Sequence, residues 1–271
     1  MSSRLPLISW LMLILLPPLT GQVVFSSRVY KEQGRTYQQV WNWNPADNSL
    51  RQLTDSPREH YLPSCSGSSI NFVSPEPWQE EAKEWTFDRN TRLERLIGPV
   101  PLDDIREPAL GAGCDVVARS GPLEACGKAG ELAVSRGGKQ IGRLRVSPGP
   151  SATGGDFPIE SLAWSPSGKW LLVGTRGIDT NSSSPQSDLW VVEAPSMKLT
   201  KAGSGNAEAW LPARDVFFYT SPRELASLGG SRRPRGVRVE HLMTFDPASG
   251  KTTAVTSGIT HNLQPSICGK P

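Results

Sequence analysis

Ser161 to Thr175 reads SLAWSPSGKWLLVGT. Polar and apolar residues alternate up to Trp164, a tight turn occupies Ser165 to Gly168, and an apolar strand follows from Trp170 to Val173. Alternation, a Ser-Pro-Ser-Gly turn and a second apolar run together mark a β-hairpin. The pattern recurs at Pro63 to Ser74 (PSCSGSSINFVS), Pro108 to Ser120 (PALGAGCDVVARS) and Ala207 to Ser221 (AEAWLPARDVFFYTS). The second strands begin near Ile70, Val116, Leu171 and Val216. Most intervals are about 45 residues, the period of a four-stranded repeat unit. The third is longer, and its excess lies in the Gly/Pro/Ser-rich stretch Ser147 to Gly155.

A second hairpin follows each first one. Val40 to Leu53 turns at Ala46-Asp47-Asn48, Trp85 to Ile97 at Arg89-Asn90-Thr91, and Leu132 to Leu144 at Arg136-Gly137-Gly138. Leu189 to Thr200 turns at Pro195-Ser196, and Leu242 to Val255 at Ala248-Ser249-Gly250. These are residues that tight turns favour, so each unit has four strands, A to D. At the ends the count is completed by exchange. Pro265 to Lys270 (PSICGK) repeats the end of a strand A, whereas Val23 to Ser27 (VVFSS) is a strand B with no strand A before it. A unit left incomplete would expose an open edge, which the C-terminal strand can cover. The expected fold is all-β: a five-bladed β-propeller of four-stranded blades over residues 22–271, its ring closed by the C-terminal strand joining the N-terminal blade.

Three stretches carry a family resemblance: Leu50-Arg51-Gln52-Leu53-Thr54, Pro63 to Gly67 with Ile70 to Ser74, and Ala163 to Lys169. They resemble the TolB-like β-propeller repeat, a WD40-like repeat of the PD40 type. The resemblance extends over the chain beyond residue 21 and implies an exported scaffold for protein contacts.

Residues 1–21 differ from the rest. Arg4 precedes an apolar stretch from Leu7 to Leu19, and Thr20-Gly21 supplies small residues. This reads as a secretory signal peptide, too short for a comfortable membrane span, and it predicts a periplasmic or secreted protein. The formal net charge of +3 over 271 residues does not indicate a duplex-binding surface, so no nucleic acid partner is expected. Four cysteines remain after export: Cys65, Cys114, Cys126 and Cys268. With no CxxC pair, neither a zinc knuckle nor a thioredoxin-type site is suggested. A Cys65–Cys268 bond would staple the C-terminal strand to its neighbour. A Cys114–Cys126 bond would have to span a whole strand, which fits disulfide reach poorly.

No GxSxG elbow, Walker loop, HExxH or EF-hand loop occurs in the chain, so no catalytic residue, metal ligand or cofactor is assigned. Connectivity places the short A–B and C–D turns on one face. The long B–C and D–A connections lie on the other: Arg28 to Thr36, Pro75 to Lys83, Gly121 to Gly130, Arg176 to Asp188 and Pro222 to Val237. Long loops on one side of a rigid scaffold are where binding tends to reside. The expected function is therefore a non-enzymatic exported scaffold that binds a protein, an envelope component or another macromolecule through that face.

The central channel opens on the same face, just before each strand A. Glu59, His60, Arg106, Glu107, Glu160, Glu208 and His261, with Asn262, are the candidate residues there. A mostly acidic funnel suits a cation, a sugar or a partner's basic side chain. The alternative function is a glycan-binding or glycan-active propeller that uses the carboxylates of Glu59, Glu107 and Glu160. On the loops, Trp78 is a candidate interface anchor, and Arg232, Arg233 and Arg235 are candidates for an acidic partner. Trp164 and Trp210 share one repeat position and are expected in the core between blades. His241, on a strand C, is expected to be structural.

Overall fold

Alternation in the sequence becomes alternation in burial. In Ser69–Pro75, Ile70, Phe72 and Ser74 face inward while Asn71 and Val73 lie half-buried on the opposite face. The structure is a computed structural model that describes residues 21–30, 36–75, 82–100, 114–146, 158–177, 186–194, 196–224 and 238–268. The leader expected over residues 1–21 lies, apart from Gly21, outside the described residues. Among the described residues every regular element is a β-strand, and no helix is long and apolar enough to cross a membrane.

All pairings are antiparallel. β1 (Val23–Val29), β2 (Gln39–Asn44) and β3 (Ser49–Gln52) form one meander. The strands β4 (Tyr61–Ser66), β5 (Ser69–Pro75), β6 (Ala82–Asp88) and β7 (Leu93–Val100) form a second sheet. A third consists of β8 (Val116–Ser120), β9 (Leu123–Lys128), β10 (Glu131–Arg136) and β11 (Lys139–Arg145). A seven-stranded run follows in sequence order: β12 (Ile159–Trp164), β13 (Trp170–Gly177), β14 (Gln186–Glu193), β15 (Lys198–Trp210), β16 (Phe217–Glu224), β17 (Arg238–Asp246) and β18 (Lys251–Ala254). The last strand, β19 (Thr260–Ile267), pairs with β1, from Val23 opposite Ile267 to Val29 opposite Thr260, and makes the first sheet four-stranded in the order β19-β1-β2-β3.

The seven-stranded run divides at Gly205. β15 pairs with β14 up to Gly205, opposite Ser187, and with β16 from Asn206, opposite Thr220. Gly205 has φ +150°, and a Cβ there would collide with the Thr220 carbonyl oxygen. Only glycine allows the strand to leave one sheet and enter the next. One continuous strand thus serves as the last of one four-stranded set and the first of another.

The sequence-based register fails at one place. Val116–Ser120 is the first strand of its sheet, not the second, and the segment Gly121 to Gly130, expected to be a long loop, holds β9. Gly121, at φ +55°, turns the chain directly from β8 into β9. Alternating burial of Leu123, Ala125 and Gly127 then defines a strand face. The shift also corrects the disulfide expectation. Cys126 lies opposite Val117, at the same end of the hairpin as Cys114, and the two are bonded with Cα atoms 5.6 Å apart. Cys65 and Cys268 form the second disulfide, with a Cα–Cα distance of 5.1 Å.

Neighbouring sheets meet through apolar faces and through repeated hydrogen bonds. Trp164 Nε1 donates to the Ala118 carbonyl at 3.2 Å, and Trp210 Nε1 donates to the Ala163 carbonyl at 2.9 Å. Each tryptophan therefore ties its strand to the first strand of the preceding sheet. The Cys65–Cys268 bond joins β4 to the end of β19, so it links a further pair of first strands. Outer strands are held in the same repetitive way. The Val40 amide donates to Thr54 Oγ1 and the Leu242 amide to Thr256 Oγ1, both at 2.9 Å.

Candidate functional site

The segment between β3 and β4 carries the first candidates. Glu59 is not a free acid. Its Oε1 accepts from Arg28 Nη2 at 2.6 Å, and its Oε2 accepts from the Gln38 amide at 2.7 Å. Arg28 comes from β1, where it lies opposite His261 of β19. The structure therefore brings Glu59 and His261 to the two sides of one arginine. The Glu240 amide donates to His261 Nδ1 at 3.2 Å. Burial, and next the Glu59 charge, push the Tyr61 hydroxyl above its usual pKa.

His60 was expected at a solvated channel mouth. The structure places it in the interior, fully buried, with its ring centroid 4.3 Å from that of Phe72. Its Nδ1 lies 2.9 Å from the Gln38 carbonyl and 3.0 Å from the Arg58 carbonyl, so that nitrogen donates. Nε2 faces Glu94 Oε1 at 3.0 Å. Glu94 also accepts from Ser56 Oγ at 3.0 Å and pairs with Arg58 Nε at 3.4 Å, while the Arg58 guanidinium lies over the Trp85 ring. Burial pushes the Glu94 carboxyl up. The hydrogen bond and charge of His60, together with Ser56 and Arg58, outweigh it and hold the carboxyl below its usual value. This network joins the segment before β4 to the outermost strand of the same sheet, and its chemistry is structural.

Glu160 stands apart on β12. It pairs with Arg176 Nε at 2.7 Å and accepts from Ser187 Oγ at 3.3 Å. Glu208 belongs to β15, where only its backbone position is described. Asn262 is buried between strands. Its Nδ2 donates to the Glu240 carbonyl, Thr256 Oγ1 and Thr260 Oγ1, and its Oδ1 accepts from Ser27 Oγ at 2.8 Å. His241 Nε2 contacts the Gly258 carbonyl at 3.0 Å, a backbone tie of the expected structural kind. Arg106, Glu107, Trp78, Arg232, Arg233 and Arg235 lie outside the described residues. No group of three or more metal-ligating side chains occurs among the described residues.

Arg28 and Glu94 are the functional partners that sequence reasoning missed. Each sits on a strand more than thirty residues from the group it binds, and neither carries a local signal. Two of the expected carboxylates are neutralised by arginines, Glu59 by Arg28 and Glu160 by Arg176.

No family model matches the chain, and no curated protein matches it either. Among solved structures the chain is similar to a putative TolB from Agrobacterium tumefaciens, at 11% identity and TM-score 0.34, covering 86% of this chain and 89% of that one. It is similar to TolB from Acinetobacter baumannii at 10% identity and TM-score 0.27, covering 88% of this chain and 53% of that one. It is also similar to the periplasmic gluconolactonase of Pseudomonas aeruginosa, at 18% identity and TM-score 0.30, covering 90% and 68%. The chain thus spans about half the length of the Acinetobacter TolB structure.

Proposed function

We propose that the chain is an exported, non-enzymatic scaffold: a five-bladed β-propeller whose C-terminal strand completes its N-terminal blade, binding a protein or envelope component through its long-loop face. The observation that carries this reading is one-sidedness. β1 to β2, β5 to β6, β13 to β14 and β16 to β17 are joined by long connections, with the Ala129-Gly130 turn between β9 and β10 as the exception, while β2 to β3, β4 to β5 and β17 to β18 are joined by short turns. In antiparallel meanders these two sets of connections emerge at opposite ends of the sheets. Ion pairing of Glu59 and Glu160 supports a non-catalytic mouth, since glycosidic chemistry asks for a carboxylic acid and a carboxylate across the scissile bond. Two disulfides with no free cysteine support an oxidising compartment.

Co-purification of the tagged protein from envelope and secreted fractions tests the reading, run beside Trp78→Ala and a variant shortened across residues 225–237. A partner captured by the parent and lost from the variants supports the long-loop face. A partner retained in full by both variants moves the contact elsewhere and overturns that assignment.

A further inference from the structure

The seam between the first two sheets starts apolar and ends charged. Val24, Val40 and Leu53 meet Ile70, Phe72 and Phe87 along it. Where β2 turns into β3 and β6 into β7, the side chains beyond Leu53 and Phe87 are Asn42, Arg51, Arg89 and Arg92. These six residues line a notch of about 30 Å³. It lies at the short-turn ends of both sheets, and all of its lining belongs to the described residues.

The repeat shows what the same place holds in another seam. Arg92 and Met197 occupy one position of the same turn. Their φ angles are 58° and 54°, and their amides donate at 2.8 Å to the carbonyls of Asp88 and Glu193 respectively. Met197 packs on the apolar cluster of the seam before it, so close to Gly142 that a Cβ there would collide with it. Gly142 pairs with Val134, two residues before the end of β10. In the first sheet the pair two residues before the end of β2 is Asn42 with Arg51. A Val, Gly and Met set that closes one seam is thus replaced by Asn, Arg and Arg in the other. Guanidinium groups brought together across a seam repel one another and resist desolvation.

The carboxylates nearby are committed elsewhere. Asp88 lies on the opposite face of β6 from Phe87 and accepts from the Asn90 and Thr91 amides at 2.8 and 3.0 Å. Glu94, across from Phe87, is held by His60, Ser56 and Arg58. Among the described residues the side chains of Arg51 and Arg92 have no ion-pair partner. Arg89 has an interaction of its own and enters the notch as added charge. Burial, and next the like charge of Arg51, push its guanidinium below the usual pKa. We propose that this notch binds a tetrahedral oxyanion of the phosphate class, held by Arg51 and Arg92 from the two sides of the seam. Guanidinium forks match the oxygens of such a group, and a dianion between them turns repulsion into attraction. The site is independent of the long-loop face, which lies at the other end of the sheets.

The test titrates inorganic phosphate into the protein by isothermal titration calorimetry, with ionic strength held constant by chloride. Saturable binding is expected, and phosphate should raise the Tm of the parent. Two variants are run beside it: Arg51→Gln/Arg92→Gln, and Arg92→Met, which copies the Met197 arrangement at a matching φ. Arg51 and Arg92 are exposed, so far-UV circular dichroism should be unchanged in both. Affinity should fall by about tenfold or more in each, because charge-assisted hydrogen bonds are lost, and phosphate should no longer raise Tm. Phosphatidylcholine vesicles with and without phosphatidic acid distinguish the sources. Vesicle binding that needs phosphatidic acid and is lost in both variants assigns the group to a lipid headgroup; phosphate binding without vesicle binding assigns it to a soluble phosphate. Absence of saturable phosphate binding, or unchanged affinity in both variants, overturns the proposal.

Discussion

Polarity at His60 reads as exposure in the sequence, where Arg58, Glu59 and Tyr61 surround it. In the fold its ring lies on Phe72, and the partner of Nε2 is Glu94, on a strand the local sequence does not reveal. His60→Ala should leave the Arg58 carbonyl without its ring donor and remove one of the donors to Glu94 and to the Gln38 carbonyl. Each buried polar group so stranded costs about 1–3 kcal/mol, and the loss is read from urea unfolding; a change within error would sink the structural role. Glu94 gives a pH signature. Its folded pKa lies below its unfolded one, so the ionised form favours the native state. That contribution is complete above the unfolded value of about 4.3 and is lost as pH falls through the lower folded value. Tm measured against pH should therefore drop less steeply on the acid side in Glu94→Gln than in the parent. Parallel curves would remove Glu94 from the account.

At the scale of elements, the turns announced nearly every hairpin because turn chemistry is local. Gly137-Gly138 and Gly250 sit where the chain must take positive φ. The single failure, at β8 and β9, has the same origin. The run PALGAGCDVVARS mimics an earlier turn-and-strand, and only the pairing of Val116 with Gly127 shows that the hairpin turns at Gly121 instead. β15 offers a sharper test. Gly205→Ala places a Cβ against the Thr220 carbonyl at positive φ, and backbone strain of that kind costs about 1–3 kcal/mol. A Tm indistinguishable from the parent would mean that the strand does not bend there. The repeated tryptophan bonds make a matched pair of variants. Trp210→Phe removes the donor to the Ala163 carbonyl, a loss of about 0.5–1.5 kcal/mol, and Trp164→Phe should behave alike through Ala118. A difference between them tracks burial, since Trp210 is the more enclosed.

Over the whole molecule, the two disulfides differ mainly in what they constrain. Cys65 and Cys268 are 203 residues apart and Cys114 and Cys126 only 12. In the chain-entropy account the longer closure stabilises by about 2.5 kcal/mol more than the shorter one. Replacing Cys65 and Cys268 by serine should therefore lower stability well beyond the same change at Cys114 and Cys126, as denaturant midpoints would show; equal losses would contradict a clasp on the C-terminal strand. The sequence by itself determined the all-β class, the repeat and most of its turns, because strand alternation and turn preference act between residues a few positions apart. Only the tertiary structure decided which faces meet, which cysteines pair, that Glu59 and Glu160 each face an arginine, and that His60 is buried. Those outcomes depend on groups far apart in the chain, whose proximity no local pattern encodes.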